Sequence, residues 1–384
     1  ISAVAAGWTI WEQQFHSGAL GPDWNLSWPQ RVIVAGYDVW FYVGKLLWPQ
    51  PLIMIYPRWM PDQASLASYL PALAAAGVLL FLWWQRRRLR PWFFATAYFG
   101  VSLFPVLGFF NVYFYRFSYV ADHFQYLADM GALALAGAGL ATVGDWLDRW
   151  HPRFALPLGS LVLVGLGFLS WSHCQAFRND DTLWRATLAD NPEAWLAHYN
   201  LAVMLEHQPG RMPEAIAHYE ATLRLYPGHW KAHANLGNVF LRIPGRMPDA
   251  TAHYEAALRI NPDLAEPEDN LGNILMSEGR LAEAIPHFEA AIRIDPKFAV
   301  AHFNLANALR DLPGRMPEVI AHYEAAARIK PDWAEAQYNL GIALLDNPAR
   351  QPEAIAHLET ALRIRPDLSM AREIVNKYRG IPTP

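Results

Sequence analysis

The segment Gly210-Arg211-Met212-Pro213-Glu214-Ala215-Ile216-Ala217-His218-Tyr219-Glu220-Ala221-Thr222-Leu223-Arg224-Leu225-Tyr226-Pro227 opens on a turn and ends on a proline, and both ends recur along the chain. The turn returns as Gly245-Arg246-Met247-Pro248-Asp249 and as Gly314-Arg315-Met316-Pro317-Glu318. The proline belongs to a series, Pro192, Pro227, Pro262, Pro296, Pro331 and Pro366, spaced by 35, 35, 34, 35 and 35 residues. Proline at the first helical position lacks only an N–H that would go unpaired there, and an acid just after it complements the helix dipole. The third copy, Ser277-Glu278-Gly279-Arg280, is one residue shorter, which accounts for the single spacing of 34.

Aligning the prolines aligns two helices per repeat. Leu201, Leu236, Leu271, Leu305 and Leu340 fill one core position of the first (A) helix, followed by the small residues Ala202, Gly237, Gly272, Ala306 and Gly341. In the second (B) helix, Ala215, Ala250, Ala284, Val319 and Ala354 match, with Tyr219, Tyr254, Phe288, Tyr323 and Leu358 four residues on as packing knobs. A fixed period near 34 with this content resembles a tetratricopeptide (TPR) array, an α-solenoid of helix–turn–helix units. Residues 178–384 then hold a half repeat, five repeats over about 193–366 and a closing helix, Ser369 to Tyr378. Glu373, Lys377 and Arg379 give that helix the polar face a terminal cap requires.

Two polar ladders run through the repeats. Asn200, Asn235, Asn270, Asn304 and Asn339 precede the A-helix leucine, and Asn238, Asn273 and Asn307 form a partial second row. An asparagine offers both donor and acceptor, so it can pair with the backbone of an extended peptide of any sequence. The same residues also read as a common repeat spelling. The ladder resembles that in the TPR groove of O-GlcNAc transferase, over the repeat helices only. His218, His253, His287, His322 and His357 form the second ladder. Helices pack about 8–10 Å apart, whereas ligands of one Zn²⁺ all lie near 2 Å from it. The histidines therefore read as inherited polar positions, and no metal site is assigned.

The first half is apolar and aromatic, in a chain with 17 Trp, 16 Tyr and 19 Phe. Four stretches are long enough to span a bilayer, at about 67–85, 91–110, 128–146 and 154–173. Together with an in-plane amphipathic helix at about 31–48 they form an all-α, multi-span bundle over residues 1–177. In that helix Arg31, Asp38 and Lys45 recur every seven residues on one stripe. Each would cost ~2.5–3.5 kcal/mol at mid-bilayer, so the stripe reads as facing away from the hydrocarbon. The turn Arg86-Arg87-Arg88-Leu89-Arg90 places itself in the cytoplasm by the positive-inside rule, and puts residues 111–127 and the repeats on the outer side. Cys174, the single cysteine, excludes an internal disulfide and reads as a buried free thiol. The net charge of −4 argues against nucleic-acid binding.

The outer loop contains Arg116, and then Val120-Ala121-Asp122-His123 and Tyr126-Leu127. It is similar to the Val-Ala-Glu-Arg…Tyr-Leu segment of the transmembrane and TPR-repeat-containing O-mannosyltransferases, with Asp122-His123 closer to their bacterial relatives. Leu47-Trp48-Pro49-Gln50-Pro51-Leu52 and Tyr56-Pro57 resemble a second segment of that family. The resemblance implies a GT-C glycosyltransferase that takes mannose from a polyprenyl-phosphate donor at the outer face of a bacterial inner membrane. The repeats would then lie in the periplasm and hold an acceptor polypeptide. It further implies that Arg116, His123 and Arg58, with Asp122 and Tyr126, meet the donor lipid phosphate. An Arg116–Asp122 pair that simply pins the loop explains those two equally well. The family's catalytic carboxylate loop, with any divalent metal, would precede Ile1, so the chain reads as a catalytically incomplete C-terminal fragment. The alternative reading is a non-catalytic, membrane-anchored TPR scaffold for envelope proteins.

Overall fold

A computed structural model describes residues 26–48, 51–59, 61–109, 117–150 and 155–379. Two compact units divide the chain, Ile1–Leu225 and Tyr226–Pro384.

In the first unit, helix α1 (Trp28–Leu47) starts at a capping box in which Ser27 and Gln30 satisfy each other's backbone N–H, with Pro29 in the first turn. Helices α2 (Leu70–Trp84, extended at its start by a 3₁₀ turn, Leu66–Tyr69) and α3 (Arg90–Leu103) flank the arginine turn. Helices α4 (Tyr126–Trp150) and α5 (Ala155–Ala176) follow. Two stretches, Leu66–Trp84 and Tyr126–Trp146, are long and apolar enough to cross a membrane, and Gly159–Ser172 is a shorter apolar one. The expected span at 91–110 is cut short. Pro105 has no N–H to continue a helix, so α3 gives way to a 3₁₀ turn, Phe104–Val106. Its 14 residues reach about 21 Å, against a hydrocarbon core of ~30 Å. Cys174 is exposed rather than buried.

Helix α1 turns its charges inward. Its charged stripe faces the protein: Asp38 and Lys45 are buried, while Trp28, Trp40 and Leu47 are exposed. The reason is the pair of irregular segments 51–59 and 117–125. Residues from both pack with α1 residues around Tyr42, Tyr56 and Val120. The stripe supplies and receives their hydrogen bonds. Arg31 donates to the carbonyls of Leu26 (3.1 Å) and Gly108 (2.9 Å). Asp38 accepts from Trp59 Nε1–H at 2.7 Å, and Lys45 donates to the Pro51 carbonyl. Helix α1 meets α2 where Gly36 lacks a side chain, since a Cβ there would lie 2.5 Å from the Ala72 nitrogen.

Five A/B helix pairs follow a lone helix, α6 (Asp180–Asp190), which is capped by Asn179 and Thr182. In the first unit lie α7 (Trp195–Leu205) and α8 (Met212–Leu225). The second unit holds α9 (Trp230–Leu241), α10 (Met247–Ile260), α11 (Ala265–Ser277) and α12 (Leu281–Ile294). It continues with α13 (Ala299–Leu309), α14 (Met316–Ile329), α15 (Ala334–Leu344), α16 (Gln351–Ile364) and the closing helix α17 (Ser369–Arg379). Both core ladders are buried along their length. The small A-helix residue makes room for the B-helix knob of its own repeat. A Cβ on Gly237 would fall 2.6 Å from the Tyr254 ring, and one on Gly272 would fall 2.6 Å from the Phe288 ring. Gly210, Gly245, Gly279 and Gly314 turn between the helices at φ of 76–81°, a region that costs other residues strain.

Candidate functional site

The asparagines of the second unit join neighbouring A helices. Asn238 Oδ1 accepts from Tyr254 Oη (2.6 Å) and from Asn270 Nδ2 (3.1 Å). Asn307 Oδ1 accepts from Tyr323 Oη (2.6 Å) and from Asn339 Nδ2 (3.5 Å). Between them sits Asp269, buried, whose Oδ2 accepts from Asn273 Nδ2 (3.0 Å) and whose two carboxylate oxygens share Asn304 Nδ2 (3.0 and 3.1 Å). Burial pushes the Asp269 carboxyl up to about 6, against the lowering effect of the Asn304 and Asn273 amides. Asn304 is itself buried with its amide committed to Asp269, whereas Asn238, Asn270, Asn273, Asn307 and Asn339 are half-buried. The carboxamide oxygens of Asn270 and Asn273 accept no bond from another described residue, so the rigid face keeps acceptors at its surface. In the first unit, Asn200 occupies the same register on α7, and Asn235 opens the series on α9.

The histidine ladder has partners that the sequence reading missed. In three repeats the B-helix histidine meets an A-helix histidine, Nδ1 to Nδ1: His198–His218 at 2.8 Å, and His233–His253 and His302–His322 each at 2.9 Å. In the other two, His287 Nδ1 meets Glu268 (2.6 Å) and His357 Nδ1 meets the Gln337 oxygen (2.7 Å). Gln337 shows the polarity. Its Nε2 donates to the Pro331 carbonyl at 3.1 Å, as the His198 and His302 Nε2 atoms engage the carbonyls of Pro192 (3.1 Å) and Pro296 (3.3 Å). An A-helix His or Gln thus donates to the proline and accepts from the B-helix histidine, whereas Glu268 only accepts. Arg372 of α17 donates to Pro366 in the same slot. The signal was present: the residue six after each proline of the ruler is His, His, Glu, His, Gln or Arg, all polar.

Burial depresses both members of each histidine pair, His253 to about 4, because the charged imidazolium is poorly solvated there. Among the described residues no group of three or more His, Cys, Asp or Glu side chains is arranged to hold a metal ion.

A second cluster lies where segments 51–59 and 117–125 meet. Tyr56 Oη donates to Asp122 Oδ1 at 2.8 Å, and Arg58 donates to Tyr119 Oη at 3.0 Å while stacking on its ring. Lys45 sits beside the Phe41 and Tyr56 rings; burial lowers its pKa, offset by the charges of Asp122 and Asp190. His123 is exposed, with its ring against Phe124, and Tyr126 is exposed at the start of α4. Arg116 lies outside the described residues. The hollow beside the cluster, about 470 Å³, is lined by Ile53, Met54, Leu166, Phe177, Leu183 and Asp190 among others. Segment 51–59 also holds the first repeat: Asn191 Nδ2 donates to the Ile55 carbonyl at 3.0 Å, and Ile55 is buried with Ala194 and Ala197.

Residues 182–228 and 209–265 match the sequence family described as tetratricopeptide repeat, and residues 272–312 match a further TPR repeat family. No curated protein matches the sequence. Among solved structures, the chain is similar to YrrB, described as a TPR protein with an unusual peptide-binding site. The two are 23% identical with a TM-score of 0.42, over 50% of this chain and 96% of that one. It is similar to PilF of Pseudomonas aeruginosa at 19% identity and a TM-score of 0.46, over 57% and 96%. It is also similar to a MamA protein at 22% identity and a TM-score of 0.39, over 50% and 100%. Residues 182–265 and 272–312 thus carry tetratricopeptide repeats.

Proposed function

We propose that the chain is a membrane-anchored scaffold whose repeats hold an extended stretch of another polypeptide on the A-helix face. The observation that carries this reading is the Asn–Tyr–Asp lattice of α9, α11, α13 and α15. It fixes the carboxamides by bonds within and between repeats, and leaves oxygen acceptors of Asn270 and Asn273 for main-chain N–H groups. A pre-set row of this kind lowers the ordering cost of binding. The anchor is supplied by Leu66–Trp84 and Tyr126–Trp146, with α1 in the plane of the interface and Trp28, Trp40 and Leu47 toward lipid. Full-length protein in detergent, titrated with fluorescent unfolded polypeptides, tests the reading. The triple variant Asn238→Ala, Asn270→Ala, Asn273→Ala should bind about tenfold more weakly while keeping its helical content; unchanged affinity would overturn the reading.

One observation favours a second reading, sugar transfer from a polyprenyl-phosphate donor to that polypeptide. The two segments that resemble the O-mannosyltransferases are 66 residues apart at Tyr56 and Asp122, and those two side chains are hydrogen-bonded. In this reading Arg116, Arg58 and His123 take up charge on the departing lipid phosphate. Membranes carrying the natural full-length protein should transfer labelled mannose from such a donor, and Arg116→Ala or Asp122→Ala should abolish it. Transfer that survives both changes would sink the assignment.

A further inference from the structure

We propose that the turn between α2 and α3 is a binding site for the phosphate headgroup of an anionic phospholipid. The proposal rests on the membrane-anchored reading above and adds a ligand to it. Arg86, Arg87, Arg88 and Arg90 are all exposed, and among the described residues no carboxylate pairs with any of them. Surface arginines elsewhere in the chain behave differently: Arg211, Arg246, Arg280, Arg315 and Arg350 each pair with an acid three residues on. Four uncompensated guanidinium groups on five residues repel one another unless an anion sits among them.

The shape of the turn suits that anion. Arg86 is held in place by its Nη1–H bond to the Trp83 carbonyl (3.0 Å) and by stacking 4.4 Å from the Trp83 ring. Arg90 lies 5.8 Å from the Phe94 ring. Two hollows open along the turn. One, about 370 Å³, is walled by Arg86, Arg87, Arg90, Phe93 and Phe94; the other, about 400 Å³, by Trp84, Gln85 and Arg86–Arg88. Each sets planar, multi-donor guanidinium groups, which match phosphate oxygens bidentately, beside aromatic rings that accept acyl chain. Trp83, Trp84, Trp92 and Phe94 are exposed around this end of the helix pair. A phosphodiester with its own hydrocarbon satisfies both walls at once; free phosphate satisfies only the guanidinium groups. Basic residues next to a span draw anionic lipid in the same way.

The test uses the full chain reconstituted in phosphatidylcholine vesicles with a trace of dansyl-phosphatidylglycerol or dansyl-phosphatidylcholine, read by energy transfer from tryptophan. Dansyl-phosphatidylglycerol should be enriched around the protein by about tenfold over the neutral lipid. The enrichment should vanish in the quadruple variant Arg86→Gln, Arg87→Gln, Arg88→Gln, Arg90→Gln. Equal transfer from both lipids, or enrichment that survives the variant, overturns the proposal. Displacement by millimolar inorganic phosphate would assign the site to free phosphate and overturn the lipid. Alkaline carbonate is a separate arm: protein it strips from the vesicles is not integral, which overturns the anchoring reading and this site with it, whereas integral protein without lipid preference overturns the site alone.

Discussion

The buried and half-buried histidines of the repeats and the buried Asp38 of α1 are polar groups drawn out of water, but they are satisfied in opposite ways. Each histidine finds its partner within its own repeat, 19 or 20 residues away, and the arrangement is copied five times. Asp38 finds its partner once, in Trp59 on a segment with no regular structure. Its second oxygen, Oδ2, is buried with no hydrogen-bond partner among the described residues, and burial pushes its pKa well above the ordinary carboxylate value, with the Trp59 bond opposing. Copied contacts can be lost one at a time with small effect. A contact made once has no such reserve.

The largest loss should come from the close approach that every repeat uses. Gly272→Val forces a branched side chain into the Phe288 ring and should cost at least about 1–3 kcal/mol, measured by chemical unfolding of the full chain in detergent. Wild-type stability would mean that the ring moves freely and the small-residue ladder is no packing device.

Trp59→Phe keeps an aromatic ring but removes the one side-chain N–H that Asp38 receives among the described residues. Leaving that oxygen bare should cost about 1–3 kcal/mol, more than any single histidine. If the loss is smaller than that from a histidine, the contrast between single and copied contacts fails.

The histidine pairs give the smallest and most specific effect. His302→Leu should cost about 0.5–1.5 kcal/mol. His302→Gln should be nearly neutral, because Gln337 already performs this role toward His357 and Pro331. The pairs also set a direction with pH. Their folded pKa values lie below the ordinary 6.5, so the unfolded chain takes up protons first. Their stabilisation is complete above about pH 6.5 and is lost as pH falls toward about 4, the value for His253. Asp269, raised to about 6, acts the other way, since its contribution is present at low pH and lost as pH rises through 6. The three pairs predict a histidine-dependent fall in melting temperature from pH 7.5 to pH 5, opposed by Asp269 and Asp38, and a smaller fall in His302→Gln. An equal drop would show that the His302–His322 pair is not the sensor.

The same contrast explains what could be read from the sequence. Repetition made the core ladders, the turn glycines and the proline ruler legible, because a position that returns every 34 or 35 residues declares its environment. The polar slot six residues after each proline was equally periodic. It went unread because its identity varies among His, Glu, Gln and Arg, with only its polarity held constant. The buried stripe of α1 was not legible. Spacing of seven placed Arg31, Asp38 and Lys45 on one face, but whether that face meets water or protein depends on segments 51–59 and 117–125. The ends of α3 depended on Pro105 alone, within an otherwise apolar run.

The central claim is that polypeptide lies on the A-helix face, and site-specific photo-crosslinking tests it most directly. A photoreactive side chain at Val300, exposed on α13, and one at Glu289, exposed on α12, would be compared on the full chain with a bound unfolded polypeptide. The account predicts strong crosslinking from position 300 and none above background from position 289. Crosslinking from 289 alone, or equally from both, would contradict it.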